Sequence, residues 1–163
     1  MDSDIVDITF SPDSIDLVAY RSSDMTVGVV NASTGVLIAG PKKFNYHVAS
    51  LALFSSITNG PITKTLVAVA VEYRIFVWNT LTGNVAGPFT HHHDASRVHA
   101  LVFSSDGKYI TSAASDYTLC VWDSSSGKAI RGPVEIHDRQ KGLLRGDGKS
   151  RSSSSFVAMT LEA

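Results

Sequence analysis

Val98-His99-Ala100-Leu101-Val102-Phe103-Ser104-Ser105-Asp106-Gly107-Lys108-Tyr109-Ile110 runs on through Ser112-Ala113-Ala114-Ser115-Asp116-Tyr117-Thr118-Leu119-Cys120-Val121-Trp122-Asp123 to the turn Ser125-Ser126-Gly127. This stretch decides the fold. Apolar and polar residues alternate in short runs, the pattern of half-buried strands. Ser-Ser-Asp-Gly at 104–107 and Ser-Ser-Gly at 125–127 punctuate the runs as turns, with glycine available for positive φ. Four strands are predicted, at 97–103, 109–114, 118–123 and 128–131. No stretch of the chain holds an apolar 3.6-residue period across ten residues, so helix is not expected.

Laid against the rest of the chain, the stretch recurs. An earlier unit runs Val48-Ala49-Ser50-Leu51-Ala52-Leu53, then Arg74-Ile75-Phe76-Val77-Trp78-Asn79, then Leu81-Thr82-Gly83 and Gly87-Pro88. The first unit runs Ile5-Val6-Asp7-Ile8-Thr9-Phe10-Ser11-Pro12-Asp13, then Asp24-Met25-Thr26-Val27-Gly28-Val29-Val30-Asn31, then Ser33-Thr34-Gly35 and Gly40-Pro41. The turn glycines Gly35, Gly83 and Gly127 stand 48 and 44 residues apart. The Gly-Pro pairs at 40, 87 and 132 stand 47 and 45 apart. A period of roughly 40–45 residues is that of a four-stranded propeller blade.

In order and spacing the third unit resembles a WD40 repeat, and the first two look like degenerate copies. The resemblance implies an all-β fold, a partial β-propeller of about three four-stranded antiparallel blades near 4–41, 47–88 and 93–133. Residues 134–163 are then either a partial fourth blade or a flexible basic, serine-rich tail. In the family a His, a Ser or Thr, an Asp and a Trp form a buried hydrogen-bonded network, and the resemblance maps these roles onto His93, Ser112, Asp116 and Trp122. The first unit keeps Asp24 but has Tyr20 and Val30 at the Ser and Trp positions. The second keeps Trp78, with Ala68 and Glu72 aligned to the Ser and Asp.

The ligand-facing rim of such blades maps onto Arg97, His99 and Ser115 in the third unit. It maps onto His47, Ala49 and Val71 in the second, and Asp4, Val6 and Ser23 in the first. The expected function is that of a non-enzymatic interaction scaffold, binding a protein or peptide through Arg97, His99, Ser115 and His47. Two alternatives stand beside it. One is a hydrolase or metal-dependent enzyme built on His93, Ser112 and Asp116, which needs an exposed nucleophile and an oxyanion hole. The other is a truncated piece of a larger WD40 protein without independent function. Closed propellers have 4–8 blades, so three blades call for an explanation. A piece of a larger propeller comes first, then a dimer that completes a ring, then a fourth blade from 134–163.

Composition narrows the partner. The 163 residues are 44% hydrophobic and 18% charged, with a formal net charge of -1. That balance gives no electrostatic case for nucleic acid or an anionic membrane. The longest apolar run, Leu66 to Val71, is too short to span a bilayer. With one cysteine, Cys120, and no visible signal peptide, the expected setting is intracellular, cytoplasmic or nuclear. Cys120, between Leu119 and Val121, reads as a core residue. No cofactor is expected. His91-His92-His93-Asp94 reads as a loop before a strand rather than a metal site, since adjacent residues on extended chain point apart. Gly146-Asp147-Gly148-Lys149-Ser150 lacks the glycine spacing, strand and helix of a phosphate-binding loop.

Overall fold

The computed structural model describes residues 3–12, 14–57, 62–90 and 96–136, all strand, turn or loop. Twelve strands follow in order: β1 (Ile5–Ser11), β2 (Ser14–Ser22), β3 (Thr26–Asn31), β4 (Leu37–Lys43), β5 (Val48–Ile57), β6 (Ile62–Val71), β7 (Arg74–Asn79), β8 (Val85–Phe89), β9 (Val98–Phe103), β10 (Tyr109–Ala114), β11 (Thr118–Asp123) and β12 (Ala129–Glu135). They form three four-stranded antiparallel meanders, β1 to β4, β5 to β8 and β9 to β12. These are the three expected blades. The first strands abut, with β5 touching β1 on one side and β9 on the other.

The turn from third to fourth strand is built three times with the same bonds. Asn31 Oδ1 accepts the N–H groups of Ser33 and Thr34 at 3.1 and 2.8 Å. Asn79 Oδ1 accepts those of Leu81 and Thr82, and Asp123 Oδ1 those of Ser125 and Ser126. A glycine at φ +70, +77 or +69 then closes each turn onto the Asn or Asp carbonyl. A short side-chain acceptor followed by a residue free to enter the left-handed region explains why these two positions repeat.

The Gly-Pro pairs lie inside the fourth strands, each with a cis peptide bond and each at a register shift. A Cβ on Gly40, Gly87 or Gly132 would meet a backbone carbonyl oxygen of the third strand at 2.8, 2.7 or 2.5 Å. The pairs are thus bulges on the outermost strand, where proline needs no ladder partner. For this reason β12 continues to Glu135, beyond the expected end at 131.

Burial lies between the sheets, not within them. Along β6 the alternation is strict. Val67, Val69 and Val71 join Leu17, Ala19, Val27 and Val29 in one core against the first blade. Leu66, Ala68 and Ala70 join Phe103, Ile110, Cys120 and Trp122 in a second core against the third. The apolar run Leu66 to Val71 is thus part of one strand packed on both faces, with period-2 segregation between two cores.

Candidate partner-binding rim

Inside the third blade, Ser112 is fully buried and its Oγ accepts the N–H of Trp122 Nε1 at 2.8 Å. Trp122 stacks on Phe89 of the second blade, ring centroids 6.1 Å apart. Asp116 sits in the β10–β11 turn, where Oδ1 accepts both the N–H and the hydroxyl of Thr118, at 3.0 and 2.7 Å. His93 and the whole 91–95 run lie outside the described residues, as do the 145–155 motifs. Ser112 therefore has neither solvent access nor a free hydroxyl to attack a substrate. Among the described residues no three His, Cys, Asp or Glu side chains converge on a metal position.

Cys120 lies in the same core. Burial, with a smaller contribution from the Asp116 charge, pushes its thiol up to about 11, so it stays protonated at neutral pH.

The other blades fill the Ser112 position differently. In the third blade, Ile110 pairs with Trp122 and Ser112 comes two residues later. In the first, Val18 pairs with Val30, and Tyr20 takes the equivalent place. The Tyr20 ring lies over Gly28, where an added Cβ would meet it at 2.5 Å. In the second, Trp78 pairs with Val67, so Val69 and not Ala68 is the equivalent. The alignment by spacing slips there because the β6–β7 turn is one residue shorter. Glu72 and Tyr73 make it alone, with Glu72 at φ +57.

That shorter turn also changes the rim. Val71, expected there, is buried in the core between the first two blades. Glu72 takes its place. His47, Ala49, Glu72 and Arg97 line one recess of about 290 Å³ at the junction of the second and third blades. The Val98 N–H donates to the Glu72 carbonyl at 2.9 Å and fixes the two blades' loops to each other. Beside it, the Ser115 N–H and hydroxyl both reach the Arg97 carbonyl, at 2.9 and 3.1 Å, and the Ser115 hydroxyl is 3.2 Å from His99 Nε2. On the first blade the same device joins Ser23 to the backbone of Asp4. Three of the four recess residues come from positions the sequence marked. Glu72 was missed, and the signal that could have found it is the missing residue in its turn.

Around the rim from this recess, Lys42, Lys43 and Arg74 flank Phe44, Tyr46 and Phe76 in a second, shallower groove. The Lys42 ammonium lies 5.8 Å from the Trp78 ring and the Arg74 guanidinium 4.8 Å from the Tyr73 ring. Cations here exceed carboxylates, which suits acidic ligands.

Residues 83–123 match the family of the WD domain, G-beta repeat. The match runs from the turn before β8 to the end of β11, so the sequence repeat is one strand out of phase with the blade. The chain is 33% identical to periodic tryptophan protein 2 of Arabidopsis thaliana over 108 residues, 63% of this chain and 11% of that one. It is 35% identical to ribosome assembly protein 4 of Saccharomyces cerevisiae over 74 residues, 44% of this chain and 14% of that one. WD repeat-containing protein 1 of Xenopus tropicalis is 24% identical over 80% of this chain and 22% of its own length. The chain thus spans less than a quarter of each of these relatives. The solved structure described as that of U3-55K superposes with a TM-score of 0.63 at 17% identity, over 85% of this chain and 41% of the other. That likeness shows the fold.

Proposed function

We propose that this chain, which carries a WD40 repeat within three blades of that type, is a non-enzymatic interaction module that takes a protein or peptide on the rim formed by His47, Arg97, His99 and Ser115. The observation that carries this reading is the recess where His47, Ala49, Glu72 and Arg97 meet. Loops held by a rigid sheet scaffold suit recognition, and arginine is favoured in interfaces. The buried hydroxyl of Ser112, occupied by Trp122, counts against the hydrolase alternative.

The partner is a peptide segment rich in acidic residues, seated across the recess and toward Lys42, Lys43 and Arg74. The name of one relative, ribosome assembly protein 4, directs the search for it toward ribosome assembly. The test is photo-cross-linking in cells from a reactive amino acid placed at Ala49, with the same group at the Ser125 turn as control. Adducts specific to position 49, with an acidic segment mapped at the cross-link and weakened in an Arg97→Glu background, are expected. Equal adducts from both positions, or no effect of Arg97→Glu, would overturn the reading.

A further inference from the structure

The seam between the first and second blades differs from the seam between the second and third at one equivalent position. The residue after each Gly-Pro pair sits over the tryptophan of the next blade. Register makes the two positions equivalent, because Lys42 pairs with Val27 as Phe89 pairs with Ile75. Phe89 is 6% exposed and stacks on Trp122, which closes its seam. Lys42 puts only an ammonium over Trp78, at 5.8 Å, and its seam stays open as a groove of about 340 Å³. Both blades that flank this groove are present within the chain.

The floor of the groove is aromatic. Arg74, Phe76 and Trp78 share one face of β7, and Phe44 from the first blade meets Phe76 with ring centroids 6.1 Å apart and planes tilted by 53°. Tyr46 and Val85 wall it, 51% and 38% exposed. Lys42, Lys43 and Arg74 supply its charge. Asp24 lies near Lys43, and Glu72 faces the recess instead. Among the described residues neither Lys42 nor Arg74 is ion-paired to a carboxylate.

We infer that this groove takes one aromatic side chain of a peptide whose carboxylates stand two residues to either side of it. The spacing follows from β7. Lys42 lies over Trp78, and Arg74 is four residues away along the strand, about 13 Å at the rise of extended chain. Residues two before and two after the aromatic span the same distance in an extended peptide, and all three side chains point one way. One carboxylate meets Lys42, the other meets Arg74, and the ring between them covers Phe44 and Phe76. A single-stranded nucleic acid would need flat, open rings and a longer run of cations. Here the phenylalanines are half-buried and tilted, and the net charge of the chain is -1. The end of this chain has the wrong charge to fill the groove, since residues 137–163 carry five Lys and Arg against three Asp and Glu. The inference deepens the proposed function and rests on it for a peptide partner.

The experiment is fluorescence anisotropy of a dye-labelled peptide, Asp-Ser-Phe-Ser-Asp with capped ends, titrated with the purified full chain. The same peptide with Ala for Phe is expected to bind about tenfold more weakly, the loss that goes with burying one ring. Lys42→Phe rebuilds the closed seam of the second and third blades, and Lys42→Glu reverses the charge. Each is expected to weaken the Phe peptide about tenfold or more. Lys128→Glu, an exposed charge on the third blade, is expected to change it by less than about twofold. Circular dichroism checks the fold of each variant, and the comparison of the two peptides on the wild type needs no variant at all. No binding, equal binding of the two peptides, full binding by Lys42→Phe, an equal loss in Lys128→Glu, or tighter binding of an oligouridylate would each overturn the inference. The cross-link at Ala49 tests the recess separately. Adducts there without peptide binding here would overturn the groove and leave the rim reading standing, and the converse would do the opposite.

Discussion

The second and third blades put a tryptophan at the same place and surround it with opposite chemistry. Trp122 donates its N–H to a buried serine, while Trp78 packs against the valines of β6. The turn one residue upstream of the strand decides which. Three residues, Ser115-Asp116-Tyr117, bring Ser112 to the tryptophan face. Two residues, Glu72-Tyr73, rotate β6 by one position and bring Val69 there instead. A polar pair and an apolar filler are interchangeable in this architecture so long as the side chain faces the neighbouring blade and is satisfied.

The largest expected effect comes from removing the tryptophan of the polar pair. Trp122→Ala loses the Phe89 stack and opens a cavity between the second and third blades, and about 3–5 kcal/mol of stability is expected to go. Trp122→Phe keeps a ring there but takes the donor from the buried Ser112 hydroxyl. Trp78→Phe takes no such donor among the described residues. Urea unfolding should therefore show Trp122→Phe to be the more damaging of the two by about 1–2 kcal/mol. Equal losses would mean that the hydrogen bond contributes nothing beyond what the apolar packing supplies.

The same comparison explains what could be read in advance. The third blade was legible strand by strand because turns with Asp and Gly bound it and polar residues mark the phase within it. The second was legible only in outline. Leu66 to Val71 is apolar at every position, so nothing in its residue types says which set faces which core, and a one-residue slip exchanges them. That slip carried Ala68 for Val69 and Val71 for Glu72. The end of β12 was hidden for a different reason. Gly132-Pro133 reads as a stop, and only the bulge geometry shows that the strand continues through it. His47, Ala49 and Arg97 were legible because each sits just before or just inside the first strand of its blade, where Val48 and Val98 mark the strand starts.

A smaller effect separates the turn glycines of the two blades. Gly83 and Gly127 have nearly the same positive φ. A Cβ on Gly83 would meet nothing within 4 Å, whereas one on Gly127 would lie 2.1 Å from the ring of Phe89. Phe89 is buried and stacked on Trp122, so it has little room to yield. Gly83→Ala should cost only the left-handed backbone penalty, about 1–2 kcal/mol. Gly127→Ala should cost about 1–3 kcal/mol more, as overpacking does. A matched pair of unfolding curves gives the difference directly, and no difference would mean that the interblade contact at Phe89 is soft.

The smallest effect is electrostatic and belongs to the same turn. Asp123 accepts bonds from Ser125 and Ser126 that Asn79 accepts from Leu81 and Thr82, but only the aspartate carries charge. The Ser125 hydroxyl first, then the Ser126 N–H and hydroxyl, hold the Asp123 carboxyl well below its ordinary value of 3.8. Asp24 is lowered in the same sense by the Ser22 and Thr26 hydroxyls, and Asp106 is lowered to about 2 by Ser104 and the Lys108 N–H. A carboxyl lowered by folding favours the folded state wherever it is ionised. Its contribution is complete above the unfolded value and is lost as pH falls below that value toward the folded one. Stability should therefore decline as pH drops below about 4, and these carboxylates lie on the first and third blades. Asp123→Asn keeps the acceptor oxygen and removes the charge, which makes the third-blade turn a copy of the second. Its urea midpoint near neutral pH should move little, while the slope of midpoint against pH in the acid range should flatten. An unchanged slope would assign acid sensitivity to Asp24 and Asp106, and the charge at Asp123 would then be incidental to a turn that asparagine builds equally well.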